Sequence, residues 1–133
     1  MGWASERTAI EVRLQANWIT TPIKYEWAPF QETHAPYIAL FIRNGERNQI
    51  TLGGNPTVRS ISLVIVQIFV PAEQGTSLAK IYADSIAVIF DRVQLMTGDG
   101  NLISFQTASA ESVGEVDGWA QVNVTIPFSR DEN

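Results

Sequence analysis

The chain holds one histidine, His34, in a proline-flanked loop, Ala28–Pro36. A general base needs a reacting group within hydrogen-bond reach and a third group to orient it. The chain has no cysteine, and no serine sits in a nucleophile-elbow motif. His34 therefore reads as a solvated loop residue. Asp99-x-Asn101 has the opening of a calcium loop, but the later oxygen ligands are missing, since positions 103 and 110 are Ile103 and Ala110. Gly98-Asp99-Gly100-Asn101 reads instead as a hairpin turn. Gly53-Gly54 would cradle a phosphate only ahead of a helix opening with Lys and Ser or Thr; none follows, so the pair reads as a hinge. Asn123-Val124-Thr125 has the form of a glycosylation acceptor, but it lies in the middle of a strand pattern. No catalytic residue, metal or cofactor is expected.

Composition narrows the remaining classes. Among 133 residues, 45% are hydrophobic and only 17% charged, against about 25% charged in a typical domain. Much surface is thus neither charged nor needed in the chain's own core, as in a subunit buried in an oligomer. The net charge of −5 and nine scattered basic residues argue against a duplex-binding surface, which needs clustered Lys and Arg. Four tryptophans among so few bases make no nucleic-acid stacking platform. Trp18 and Trp27 read as core, Trp3 and Trp119 as interface candidates. Without cysteine there is no disulfide, thiol nucleophile or zinc–thiolate site. Met1–Glu11 has no signal-peptide core, and no apolar run reaches the ~20 residues of a membrane span. Folding in a cytoplasm is the expectation.

The elements that must position everything else centre on Arg59–Val70. Alternation puts Arg59, Ile61, Leu63, Ile65, Gln67 and Phe69 on one face, and Ser60, Ser62, Val64, Val66, Ile68 and Val70 on the other. The serines are expected towards water. The second half is apolar on both sides, as in a doubly covered strand. The run is long for a strand, so a bend, a bulge or a projecting arm is expected. Ser5 is expected to cap a helix ending near Asn17, with Trp3, Ile10, Leu14 and Trp18 on its large stripe. Ile23–Trp27 and Tyr37–Ile42 read as strands. Arg43-Asn44-Gly45-Glu46 reads as a turn, Gln49–Leu52 as a short returning strand, and Arg43–Arg59 as a mobile flap. Thr76 is expected to cap a helix over Ser77–Asp91, with Leu78, Ile81, Tyr82, Ser85, Ile86 and Ile89 facing the sheet. Val93–Met96 and Leu102–Thr107 read as a hairpin, Ala110–Gly118 as a polar loop, and Trp119–Phe128 as the last strand.

This order predicts an α+β fold: a mainly antiparallel twisted β-sheet with two α-helices packed on one face. One domain is expected over residues 1–128, with a flexible tail over 129–133. Two helices cannot cover both faces of such a sheet, so its second apolar face should meet a further copy of the chain.

Several stretches resemble the tail terminator (tail completion) proteins of long-tailed bacteriophages. They are Ile10-Glu11-x-Arg13-Leu14, Thr51-Leu52-Gly53-Gly54, Arg59 opening a strand that ends Gln67-Ile68-Phe69-Val70-Pro71, Gly75 before Tyr82-Ala83-Asp84-Ser85-Ile86 and Phe90, and Val124-x-Ile126-Pro127-Phe128. The resemblance spans nearly the whole chain and contains no catalytic motif. It implies a virion protein of the tail neck, assembled in the host cytoplasm as a homo-hexameric ring. That ring would dock on the tail tube protein, stop tube polymerisation, and meet the head–tail connector or stopper protein. DNA would pass through without sequence-specific binding, and no membrane would be involved. Arg43, Arg47, Gly53, Gly54, Arg59, Ser60, Ser62 and Trp119 are the expected subunit or tube contacts. Glu111, Glu115 and Asp117 are the expected channel lining. The alternatives are another neck or tail-tube protein, and a small enzyme or ligand-binding module.

Overall fold

A computed structural model describes residues 2–26, 28–30, 34–54, 56–74 and 76–132, with Thr76 described for its backbone alone. The expectations for Trp27, Gly75, the Thr76 cap and Asn133 lie outside the described residues. Helix α1 spans Trp3–Asn17 and α2 spans Thr76–Phe90. The strands are β1 (Ile23–Tyr25), β2 (Tyr37–Gln49), β3 (Val58–Pro71), β4 (Gln94–Met96), β5 (Leu102–Phe105), β6 (Ser109–Val116) and β7 (Trp119–Glu132). The sheet order is β1-β2-β3-β7-β5-β4, with β6 also paired to β7. β1–β2 is parallel and every other pair antiparallel. The α+β expectation is met.

β3 is the spine. It runs in unbroken register with β7 from Val58↔Glu132 to Pro71↔Trp119. At ~3.3 Å per residue this ladder extends about 45 Å. The strand needs no bulge of its own, because the bulge falls in β2. There Gly45 and Glu46 together oppose Ile61, between Asn44↔Ser62 and Arg47↔Ser60. A Cβ at position 45 would lie 2.7 Å from the Ile61 carbonyl oxygen, so glycine is what permits the close approach. Gly45-Glu46 is therefore a bulge, and Arg43–Glu46 is not the expected turn. β2 continues to Gln49 and β3 begins at Val58, so the expected flap is a laddered arm over most of its length.

Both helices pack on one face. Ile10 and Leu14 of α1, and Ala79, Ala83, Ile86 and Phe90 of α2, share one core with Ile38, Leu40, Val64, Val66, Ile68, Val122, Val124, Ile126 and Phe128. The α2 stripe is rotated from the expected one. Ile86 and Ile89 are buried, but Ile81 and Ser85 are exposed, and the small Ala79 and Ala83 take the contact. Alanines let the helix axis approach β3 and β7 closely. α1 begins at Trp3, after Gly2 in a left-handed conformation (φ 100°), so Ser5 lies in the first turn and is not the cap.

Two further segments differ from expectation. Ala110–Gly118 is not a loop: β6 occupies Ser109–Val116 and joins β7 through Asp117-Gly118, both at positive φ (50° and 82°). Asp-Gly at a two-residue hairpin is the standard local signal for this turn, because both central residues need positive φ. Ser129–Glu132 is not a frayed tail; it is the end of β7, paired to β3 throughout and to β5 up to Asp131.

Candidate functional site

The covered face changes character towards the arm. Val64, Val66, Ile68 and Val70 are buried under the helices, and the same face continues through Ser62 and Ser60. These serines are 3% exposed, contrary to the expectation that they meet water. The reason is Arg130, which follows Phe128 on the same face of β7 and is fully buried. Its Nη1 donates to Glu6 Oε1 of α1 at 3.1 Å, and its Nη2 to Ser60 Oγ at 3.4 Å. Asn44 Nδ2 donates to Glu6 Oε2 at 3.0 Å and lies 3.2 Å from Ser62 Oγ. Glu132 Oε2 stands 4.0 Å from Arg130 Nη2, and Nε of Arg130 has no hydrogen-bond partner among the described residues. Burial pushes the Glu6 carboxyl above its ordinary range, against the opposing pulls of the Asn44 hydrogen bond and the Arg130 charge. This buried polar knot ties α1, β2, β3 and β7 together at the root of the arm.

Further out, the arm is held by surface ion pairs. Arg59 Nε and Nη2 bind the two oxygens of Asp131 at 2.8 and 3.0 Å, and Arg47 pairs with Glu132. The Arg59 bond holds Asp131 below the ordinary carboxylate range. At the tip, the Ile50 amide donates to Thr57 O, and Leu52 is 93% exposed beside Gly53 at φ 114°. The structure thus gathers Arg47, Gly53, Gly54, Arg59, Ser60 and Ser62 on or under one arm. Arg43 lies at the arm's root on the opposite, open face, where it is paired across from Leu63.

Trp119 lies at the other end of the sheet. It packs edge-on against Tyr37 (5.4 Å between ring centroids) and Phe69 (6.4 Å). Tyr37 also stacks on Phe69 at 4.8 Å and meets Phe30 at 5.0 Å. This aromatic cluster caps one end of the open face. Beyond it, Phe41, Leu63 and Ile65 are half-buried and Ile61 is 50% exposed.

Glu111, Glu115 and Asp117 are brought onto one hairpin but not onto one face. Glu111 lies across from Asn123 on the open face. A bulge between Ser112 and Gly114 then turns Glu115 to the helix side, across from Ala120. Asp117 occupies the turn.

His34 is exposed. Its Nε2 lies 2.5 Å from Glu73 Oε1 and its ring packs 5.7 Å from Trp119. That is a hydrogen-bonded contact on an aromatic surface, with no nucleophile aligned to it among the described residues. No group of three or more metal-ligating side chains occurs among the described residues.

Sequence reasoning missed Glu6, Asn44, Arg130, Asp131 and Glu132. Two signals were available. Arg130 continues the alternation of Ala120 through Phe128, and Glu6 stands four residues before Ile10 on the buried stripe.

A search of curated protein sequences finds no match. Among 19 chains of solved structures that do match, one superposes with a TM-score of 0.75 at 18% identity. The match covers 100% of this chain and 98% of the other, and at that identity it shows a shared fold. A family model described as phage tail terminator protein matches residues 7–128, from the second turn of α1 to the Phe128 position of β7. With that model covering α2, β1 to β6 and most of α1 and β7, the chain belongs to the phage tail terminator family, a family of structural proteins of the virion tail.

Proposed function

We propose that this chain acts as a ring, one domain per copy, that caps the tail tube, stops its polymerisation and joins it to the head connector. The observation that carries the reading is the half-finished sheet. Helices cover one face, while among the described residues Phe41, Ile61, Leu63 and Ile65 on the other have only the aromatic cluster beside them. Apolar surface of this kind is stabilised by burial against another subunit, at about 25 cal/mol per Å² removed from water. In this reading six copies close at the neck after assembly in the host cytoplasm. One rim meets the tail tube protein and the other the connector or stopper. The arm, with Leu52 at its tip, is the element offered to the tube. Asp117, at the turn of the acidic hairpin, faces passing DNA and repels it without sequence readout, whereas Glu111 and Glu115 lie on opposite faces of β6 and do not share one channel wall.

Negative-stain imaging and native mass measurement of the purified protein test this. Closed single rings, and shortened tubes when the protein is added to polymerising tube protein, are expected. Long tubes formed by this protein alone would instead identify a tail-tube subunit. A strict monomer that leaves tube growth unchanged would refute the ring. Reversing the Asp117 charge should slow DNA passage; unchanged ejection would reject the channel role.

A further inference from the structure

Two strand edges of this sheet are unused. β1 pairs the outer edge of β2 only at Ile38, Ala39 and Leu40, and from Phe41 onward that edge has no partner strand among the described residues. On the far side, β6 pairs β7 by one edge, and its other edge is likewise unpaired among the described residues. An open edge is a template for another chain unless it is blunted. Ser109–Val116 contains neither of the usual blunting residues, Lys and Pro.

The two edges match in direction, face and charge. β2, β3, β7 and β6 alternate in direction, so β6 of one copy laid against β2 of a like-oriented copy continues the antiparallel alternation. Directly opposed residues of an antiparallel pair share a face. Glu111 is opposed by Asn123, then Gln67, then Ala39, which puts it on the open face; Arg43 lies on that same face. Both are exposed, and neither is in an ion pair among the described residues. Setting Glu111 opposite Arg43 sets Ala110 opposite Asn44 and Ser112 opposite Ile42, all on the helix side. The pairing ends at the β2 bulge after Asn44 on one side. On the other it ends at the β6 bulge after Ser112, just short of the stretch that β1 occupies.

We propose that copies of this chain join edge to edge, Ala110–Ser112 of one pairing antiparallel with Ile42–Asn44 of the next, with Glu111 against Arg43. This rests on the ring reading and specifies its joint. The register also closes. Glu111's own row crosses β2 at Ala39, and the neighbour's Arg43 lies four residues further along. Each set of four strands therefore shifts by four residues, so shear equals strand number for any number of copies. An eight-stranded barrel with that equality tilts its strands about 36°, within the usual range of about 35–45°. A flush register would give no tilt and would run β6 into β1. Because the two edges differ, the contact is heterologous, the type that generates a ring when its rotation closes.

The absence of cysteine makes the test clean. Arg43→Cys/Glu111→Cys protein is oxidised, or treated with a short bismaleimide, and run on a denaturing gel beside imaged samples. Each single variant and Arg43→Cys/Glu115→Cys serve as controls, the last because Glu115 faces the helix side. A covalent ladder from the 43/111 pair alone is expected. Arg43→Glu should abolish assembly, and Arg43→Glu/Glu111→Arg should restore it. Rings that form without a 43/111 ladder, or that cross-link through 43/115 instead, would overturn the joint while leaving the ring intact. Monomers without a ladder, even with tube protein present, would overturn both.

Discussion

Replacing Glu6 with alanine leaves Arg130 fully buried, with Ser60 at 3.4 Å and Glu132 at 4.0 Å as its remaining polar neighbours. Removing one partner of a buried pair costs about 3–5 kcal/mol, because the other charge stays desolvated. Glu132 offsets part of that, since unit charges about 4 Å apart attract by about 4 kcal/mol at an effective dielectric constant near 20. The lower end, about 3 kcal/mol, is therefore expected. For 133 residues, an unfolding entropy near 2.1 cal/mol/K per residue gives about 0.28 kcal/mol/K, so Tm should fall by about 11 °C. The opposite outcome is expected when both partners go. Burial raises the Glu6 carboxyl despite Arg130, so desolvation outweighs attraction in this pair. Glu6→Leu/Arg130→Met should then lie within about 1 kcal/mol of the parent or above it. The pH dependence has a defined sign. The folded state holds the Glu6 proton more tightly than the unfolded chain, whose ordinary value is 4.5. As pH rises from that value through the raised folded one, ionising the buried carboxyl therefore lowers stability, although the ionised Glu6 still pairs with Arg130. Urea unfolding of the parent, Glu6→Ala, Glu6→Leu, Arg130→Met and the double variant at neutral pH is the assay. A Glu6→Ala loss under about 1 kcal/mol, or a double variant as unstable as the two single losses added, would refute the reasoning.

Gly45→Ala should cost about 1–3 kcal/mol, because its Cβ meets the Ile61 carbonyl oxygen at 2.7 Å; denaturant unfolding reads it, and a neutral result would mean that the bulge opens freely. Trp119→Ala should lose about 2–4 kcal/mol by removing the ring set edge-on to Tyr37 and Phe69, with loss of near-UV dichroism from the cluster. Asp131 is held below 3.8 chiefly by the Arg59 hydrogen bond. Its stabilisation is therefore present above that value and lost as pH falls through the lower folded one, and Asp131→Asn should flatten the drop in Tm between about pH 4 and pH 2. Leu52→Ser should leave stability within about 0.5 kcal/mol, since the side chain is exposed, yet weaken arrest of tube growth in the polymerisation assay.

The parts of the fold that were legible are those whose signal is local. The two-residue period of Arg59–Val70 and Trp119–Phe128, and the helical period of Ser77–Asp91, are properties of neighbouring residues, and all three became the expected elements. The Gly98–Asn101 turn was legible for the same reason, with Thr97 N donating to Asn101 O at 2.8 Å across it. Gly45 misled because a glycine after asparagine serves a turn or a bulge equally well, and only the Ile61 carbonyl opposite it distinguishes them. β6 was missed because an edge strand exposed on nearly every side chain carries no burial pattern to read. The polar knot was invisible because Glu6 and Arg130 stand 124 residues apart.

By itself, the order of residue types determined which side chains share a face of β3 and of β7 up to Phe128, and that two helices and one sheet would form. The three-dimensional arrangement alone decided which of those faces is dry. Ser60 and Ser62 look like water-facing residues until a helix carrying Glu6 is laid over them and Arg130 arrives from the last strand. Alternation is a property of the strand, but burial is a property of whatever packs above it.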